Sequence, residues 1–234
     1  MDDLQKQLAN IQRNWPSDPD REERLERERL AAEARENRER AMSLWRSSSV
    51  PARHAHEFTL PTEGPWLDAF LGLRGRLGSG FLCVALGNRG TGKTQIGTCL
   101  IRAACGNLQS ALYVKALDIF IALREGYRKD GDSEKEIIRR FVQPEFLVID
   151  AMEERGETPF EDRLLNHIID KRYDNLADTL LITNQTPEAF AASAGPSIIS
   201  RIHETGDKIV CDWGSFRKKP DFTPANAAVP AGDR

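Results

Sequence analysis

The stretch Phe81-Leu82-Cys83-Val84-Ala85-Leu86-Gly87-Asn88-Arg89-Gly90-Thr91-Gly92-Lys93-Thr94 decides how the rest of the chain is read. Six apolar residues in a row fit a strand buried on both faces. The next eight match G-x-x-x-x-G-K-[ST], and the residues after them, Thr94 to Ala104, read as a helix. Strand, glycine-rich turn and helix in this order have a physical use. Glycines let successive backbone N–H groups close around phosphate oxygens, and the helix N-terminus adds positive potential. Gly87, Asn88, Arg89, Gly90, Thr91, Gly92, Lys93 and Thr94 are therefore candidate phosphate ligands. Lys93 is expected to reach the outer phosphates of a nucleotide, and Thr94 to ligate a magnesium ion.

Four more apolar runs follow: Ala111 to Val114, Phe146 to Ile149, Thr179 to Thr183 and Lys208 to Cys211. The segments between them are mostly long enough for crossover helices. All five runs are expected to be strands of one parallel sheet with helices on both faces. Asp150 closes the third run, where a carboxylate can hold the hydrated magnesium beside a phosphate loop. Ala151 follows it, where a hydrolysing enzyme of this kind usually carries a water-orienting glutamate. Glu153 and Glu154 come next but out of register for that role. Asn184 ends the fourth run and is placed to polarise water or the outermost phosphate.

The chain of 234 residues carries 33 basic and 36 acidic residues, a net charge of −3. That excludes a global polycation, so any nucleic-acid contact has to be a local patch. No apolar run approaches the roughly 20 residues of a membrane span. Met1-Asp2-Asp3-Leu4 does not open a secretory leader, and a cytoplasmic protein without membrane contact is the expectation. Cys83, Cys99, Cys105 and Cys211 never stand in C-x-x-C spacing and read as small core residues. His54 and His56 form a His-x-His pair with no third ligand nearby, which argues against a metal site.

Three parts are expected: a helical arm over residues 1–50, an α/β domain over 51–217, and a flexible tail over 218–234. In the arm, Leu4, Leu8, Ile11 and Trp15 form one apolar stripe, broken at Trp15-Pro16-Ser17-Asp18-Pro19. A second helix starts near Asp20. Its stretch Arg21 to Arg40 holds seven Arg and seven Glu, with i, i+4 pairs such as Glu23/Arg27 and Glu36/Arg40. Leu44 and Trp45 have little local core to bury them, which marks the arm as a docking element. Lys218 to Arg234 holds three of the 12 prolines.

Taken in order, these elements resemble the AAA+ family, and within it the DnaC/IstB branch of helicase loaders and transposase-associated ATPases. The similarity covers roughly Val50 to Arg217. Val50-Pro51-Ala52-Arg53 looks like the motif that opens the domain in that branch. Leu117-Asp118-Ile119 through Tyr127-Arg128 looks like its helical insert, and Asp170-Lys171-Arg172-Tyr173 like its D-x-R-Y signature. Leu181-Ile182-Thr183-Asn184 matches the sensor 1 strand, and Ser200-Arg201-Ile202 the segment that carries an arginine finger. Trp213-Gly214-Ser215-Phe216-Arg217 looks like the W-x-S-[YF]-R motif, with Arg217 at the sensor 2 position.

The resemblance implies an ATPase with ATP and Mg²⁺ as cofactors and no C-terminal lid domain. It also implies a homo-oligomer in which Arg201 reaches a neighbour's nucleotide. It implies loading of a hexameric replicative helicase of the DnaB type and contact with single-stranded DNA through Arg124, Tyr127, Arg128 and Lys129. Cations beside an aromatic suit such a strand. Two other functions fit the same core: an IstB-like regulator of a DNA transposase that binds duplex DNA, and an ATP-binding module that hydrolyses slowly because of Ala151.

Overall fold

Apolar residues alternate between the two faces of each central strand, and the two sets bury against different helices. The computed structural model describes residues 19–56, 59–126, 133–156 and 158–217, with Gln5 and Gln7 as isolated helical positions. The apolar stripe from Leu4 to Trp15 and the tail from Lys218 onward lie outside the described residues.

The elements run α1 (Pro19–Ser47), α2 (Ala52–Ala55), α3 (Pro65–Arg74), β1 (Leu82–Leu86), α4 (Lys93–Gly106), β2 (Ala111–Lys115), α5 (Ala116–Gly126), α6 (Glu134–Val142), β3 (Phe146–Asp150), α7 (Pro159–Asp174), β4 (Asp178–Ile182), α8 (Pro187–Thr205) and β5 (Lys208–Val210). All strand pairs are parallel, in the order β2-β3-β4-β1-β5. Each of the five predicted runs forms a strand, with boundaries within one residue. Leu82, Val84, Leu86, Leu147, Ile149 and Leu181 pack under α5, α6, α7 and α8. Cys83, Ala85, Phe146, Val148, Leu180 and Ile182 pack under α3 and α4. Period-2 alternation thus builds a three-layer domain from near-continuous apolar strands.

Two of the strands differ from expectation. β1, β3 and β4 are buried throughout, but β2 and β5 are edges, with Lys115, Lys208 and Val210 exposed. Lysines on an edge strand discourage pairing with another chain. Cys83, Cys105 and Cys211 are buried as expected, and all four cysteines are free. No helix among the described residues is long and apolar enough to cross a membrane.

α1 is solvent-exposed over residues 20–40. The expected Glu23/Arg27 ion pair is present, and Arg35 Nε lies 3.1 Å from Glu39 Oε1. Exposed pairs of this kind add about 0.3–0.5 kcal/mol each. The last turns of the helix behave differently. Leu44, Trp45 and Val50 pack on the α3/α4 face of the core, and the Arg102 guanidinium sits 4.7 Å from the Trp45 ring centroid. Ser48 is fully buried, and its carbonyl accepts from Tyr113 N–H at 2.8 Å. Leu44 and Trp45 therefore find their core in the α/β domain. Trp45→Ala is expected to cost about 2–3 kcal/mol, read as a lower denaturation midpoint. Glu23→Ala in the exposed turns is expected to change it by under about 0.5 kcal/mol.

Candidate functional site

The turn between β1 and α4 takes shape because several of its residues cannot carry a side chain. Gly87 has φ +119°, and a Cβ there would stand 2.6 Å from the Cys211 carbonyl oxygen. Gly92 caps α4 in the left-handed region at φ 83°, with Trp66 Nε1 and Phe216 closing on its Cα. The C-terminal segment braces the loop from outside. Trp213 Nε1 donates to Thr91 O at 2.8 Å and Phe216 N–H to Gly90 O at 2.9 Å. Trp66 Nε1 donates to Gly92 O at 3.2 Å. These braces engage loop carbonyls, which leaves loop N–H groups to face an anion.

Lys93 is buried and its Nζ donates to Gly87 O at 2.6 Å and Asn88 O at 2.7 Å. Burial lowers its pKa below the usual lysine value, while Asp150 and Glu153 among its neighbours pull the other way. Thr94 Oγ1 donates to Asp150 Oδ2 at 2.8 Å, and the Tyr113 hydroxyl donates to the same oxygen at 2.8 Å. Burial, then the Asp150 charge, raises the Tyr113 pKa, so the phenol stays a donor. A hydroxyl and a carboxylate oxygen side by side are the hard oxygen donors Mg²⁺ prefers, beside loop N–H groups that suit phosphates. The predicted magnesium pair, Thr94 and Asp150, is thus brought together. Among the described residues no group of three or more His, Cys, Asp or Glu could hold a metal ion. His54 instead contacts Gln95, with Nδ1 3.2 Å from Oε1.

Lys93, Thr94, Asp150, Asn184 and Arg217 line one open cleft of about 570 Å³ at the carboxyl ends of β1, β3 and β4. Pro51 and Arg53 of the domain-opening motif, and His54 just after it, also line this cleft. This is the crevice where open parallel sheets bind ligands. A larger groove, about 900 Å³, runs along the β2 edge between Ser49 and Arg140 and contains no phosphate-binding turn.

The chain after β3 departs from the expected register. Ala151 is in the left-handed region at φ 55°, ψ 48°, and a single 3₁₀ turn, Met152–Glu154, follows. Glu153 then accepts from Asn184 Nδ2 at 2.5 Å, Asn184 N–H at 3.2 Å and Thr183 Oγ1 at 3.1 Å. Burial raises the Glu153 pKa, but its hydrogen bonds outweigh this and hold the carboxyl below the usual glutamate value. Glu154 lines the cleft. Out of register along an extended strand, both acids are brought to the site by the turn.

Residues 82–219, more than half of the chain, match the family described as IstB-like ATP binding protein. The chain belongs to that family. It is also 25% identical over 134 residues to the replicative helicase loader DnaC of Escherichia coli (strain K12), covering 57% of this chain and 55% of that protein. The chain thus spans about half the length of the curated relatives it matches. Among solved structures, that of the DnaC helicase loader aligns with TM-score 0.57 and 20% identity over 65% of this chain and 93% of that one. The replication initiator DnaA, bound to AMPPCP and single-stranded DNA, aligns with TM-score 0.58 and 20% identity over 69% and 50%. The fold is that of the P-loop AAA+ ATPases, with an N-terminal helix.

Outside the cleft, the other predicted residues fall in three situations. Arg201 lies inside α8, which is broken at Gly195 with φ 81°. Its Nη2 is 2.9 Å from Asp170 Oδ1, and its guanidinium sits 5.2 Å from the Tyr173 ring centroid. The expected outward-facing finger is therefore folded against its own α7. Arg124, expected on single-stranded DNA, pairs at 3.0 Å with Glu161, whose side chain is buried. Tyr127, Arg128 and Lys129 lie outside the described residues. Lys135, Arg139 and Arg140 are exposed on α6, which opens with a Ser133/Glu136 capping box.

Two residues have structural roles that the sequence reading did not assign. Arg172 is fully buried and donates to the carbonyls of Phe141, Val142, Pro144 and Asp178 and to Thr179 Oγ1. Asp178 accepts from the N–H groups of Gly78, Gly80 and Phe81 and ties the entry of β1 to β4. Nothing local marks either residue as buried. Arg172 was visible only through the D-x-R-Y resemblance.

Proposed function

We propose that this chain hydrolyses ATP and uses the ATP state to load a hexameric replicative helicase onto DNA. The nucleotide part is carried by one observation: Thr94 and Asp150 meet at 2.8 Å beside a phosphate loop on an AAA+ sheet. The loader part is supported by similarity to DnaC. Loop N–H groups and Lys93 bind the β- and γ-phosphates. Thr94 and Asp150 would hold Mg²⁺, which supplies charge neutralisation at the phosphates when bound. Asn184, held by Glu153, faces the reacting end. Arg217 adds positive charge at the same cleft. Arg201 of a neighbouring copy reaches the γ-phosphate, so hydrolysis is tied to a homo-oligomer. The exposed part of α1 grips the helicase, and the α5–α6 region touches single-stranded DNA.

Energetically, ATP can control assembly only through different affinity for the assembled and free states. The test is mass determination of the chain mixed with a DnaB-type hexamer, with and without Mg-ATP. A stoichiometric, nucleotide-sensitive complex is expected, lost on deleting residues 1–40. That deletion keeps Leu44 to Val50, which belong to the domain core. No complex at micromolar concentration removes the loader reading. The family match favours one alternative, a transposase-associated ATPase. It predicts instead a nucleotide-dependent complex with duplex DNA. In either case Lys93→Ala is expected to weaken ATP binding at least about 100-fold, through loss of a charge-assisted phosphate contact.

A further inference from the structure

Ala151 leaves the position after Asp150 without a carboxylate, yet the cleft does contain one. We propose that Glu154 activates the attacking water. The inference rests on the reading of this cleft as an ATP-hydrolysing site, and it follows from the shape of one turn.

The strand ends at Asp150, and Ala151 adopts φ 55°, ψ 48°. A non-glycine residue takes that conformation only when its surroundings impose it. The chain then makes one 3₁₀ turn, closed by Glu154 N–H on Ala151 O at 2.9 Å. A 3₁₀ turn advances about 120° per residue, so three successive side chains point three ways. Met152 points into the core and is buried. Glu153 points to Asn184 and Thr183, and both its oxygens are engaged there. Glu154, the third, is left on the cleft wall, in a lining it shares with Asp150, Ala151 and Asn184. It is exposed, and no hydrogen bond or ion pair engages its carboxylate among the described residues. Of the two acids, then, Glu153 positions Asn184 and Glu154 is free to take a proton.

The step balances without a further reagent. The water oxygen bonds to the γ-phosphorus as its proton passes to the Glu154 carboxylate. The bond from the γ-phosphorus to the β,γ-bridging oxygen breaks, and ADP leaves with the electron pair. Glu154 then returns its proton to solvent. General-base catalysis of this kind contributes about 10²–10⁴-fold.

The test uses the full chain and two readouts: affinity for a fluorescent ATP analogue and steady-state release of phosphate. Glu154→Gln is expected to bind the analogue within about twofold of the parent and to release phosphate at least about 100-fold more slowly. Adding Ala151→Glu to Glu154→Gln is expected to restore most of the rate, because it supplies a carboxylate from the other side of the turn. A merely structural role for Glu154 would not be rescued in this way. Hydrolysis by Glu154→Gln at the parent rate overturns the assignment and leaves the ATPase reading intact. A parent chain that binds the analogue but releases no phosphate overturns it too, and leaves an ATP-binding module. A parent chain that binds no analogue removes the reading of the cleft itself.

Discussion

Arg172→Met is expected to lower the thermal midpoint by about 10 °C. Arg172 is fully buried, and burial pushes its pKa down to about 9, so it is still charged at neutral pH. Nε donates to Thr179 Oγ1 at 2.8 Å, and Nη1 to Phe141 O, Val142 O and Pro144 O at 3.0, 3.2 and 2.8 Å. Nη2 donates to Asp178 O at 2.5 Å. One side chain on α7 thereby satisfies carbonyls at the end of α6, in the turn before β3 and at the start of β4. Met keeps much of the volume but donates nothing, so buried carbonyls lose their partners together. Breaking a buried charged network costs about 3–5 kcal/mol, and each kcal/mol moves the midpoint of a domain this size by about 2–4 °C. Lys171→Ala, one residue away and exposed, is the control. It is expected to change stability by under about 0.5 kcal/mol. Equal midpoints for Arg172→Met and the parent would show that the network adds nothing net.

The readable parts of this chain are those whose signal is local. β3 is five consecutive apolar or strand-closing residues, and β1 leads directly into a glycine pattern that only a phosphate loop requires. The Thr94–Asp150 contact was legible too, because a phosphate loop calls for an acid at a strand end. What was missed depends on partners far away in sequence. Trp45 looked unburied because its packing partner, Arg102, comes more than fifty residues later. Arg172 stands in the D-x-R-Y signature, but its buried role was not legible, since three of its acceptors lie 28 to 31 residues earlier. Glu153 and Glu154 looked misplaced because register arguments assume an extended chain. The left-handed turn at Ala151 has no glycine or asparagine to announce it. β2 and β5 read as buried because burial of a strand end depends on which neighbour the topology supplies.

Arg201→Ala is expected to slow ATP hydrolysis about 10³-fold while leaving nucleotide affinity within about twofold of the parent. The geometry sets up two opposed roles for this residue. Within one chain Arg201 pairs with Asp170 at 2.9 Å, bonds to Ser197 O at 3.1 Å and stacks on Tyr173. The Tyr173 hydroxyl is itself fixed to Glu204 Oε1 at 2.7 Å. A residue serving only that local clamp would matter little, because a half-exposed ion pair is worth under about 1 kcal/mol. A residue serving a neighbour's nucleotide would matter greatly, since γ-phosphate charge in the transition state needs a cation that the phosphate loop does not supply. Mixing separates the two. A Lys93→Ala chain binds ATP poorly but keeps its arginine, and an Arg201→Ala chain keeps its loop but lacks the arginine. If Arg201 acts across an interface, a mixture of the two inactive chains recovers hydrolysis at mixed junctions. If it acts only within its own chain, the mixture stays as inactive as its parts. Asp170→Asn weakens the clamp without touching the cleft. Because Asp170 and the γ-phosphate compete for one guanidinium, that variant is expected to hydrolyse ATP at least as fast as the parent. A slower Asp170→Asn chain with unchanged stability would mean that the clamp presents the arginine rather than withholding it.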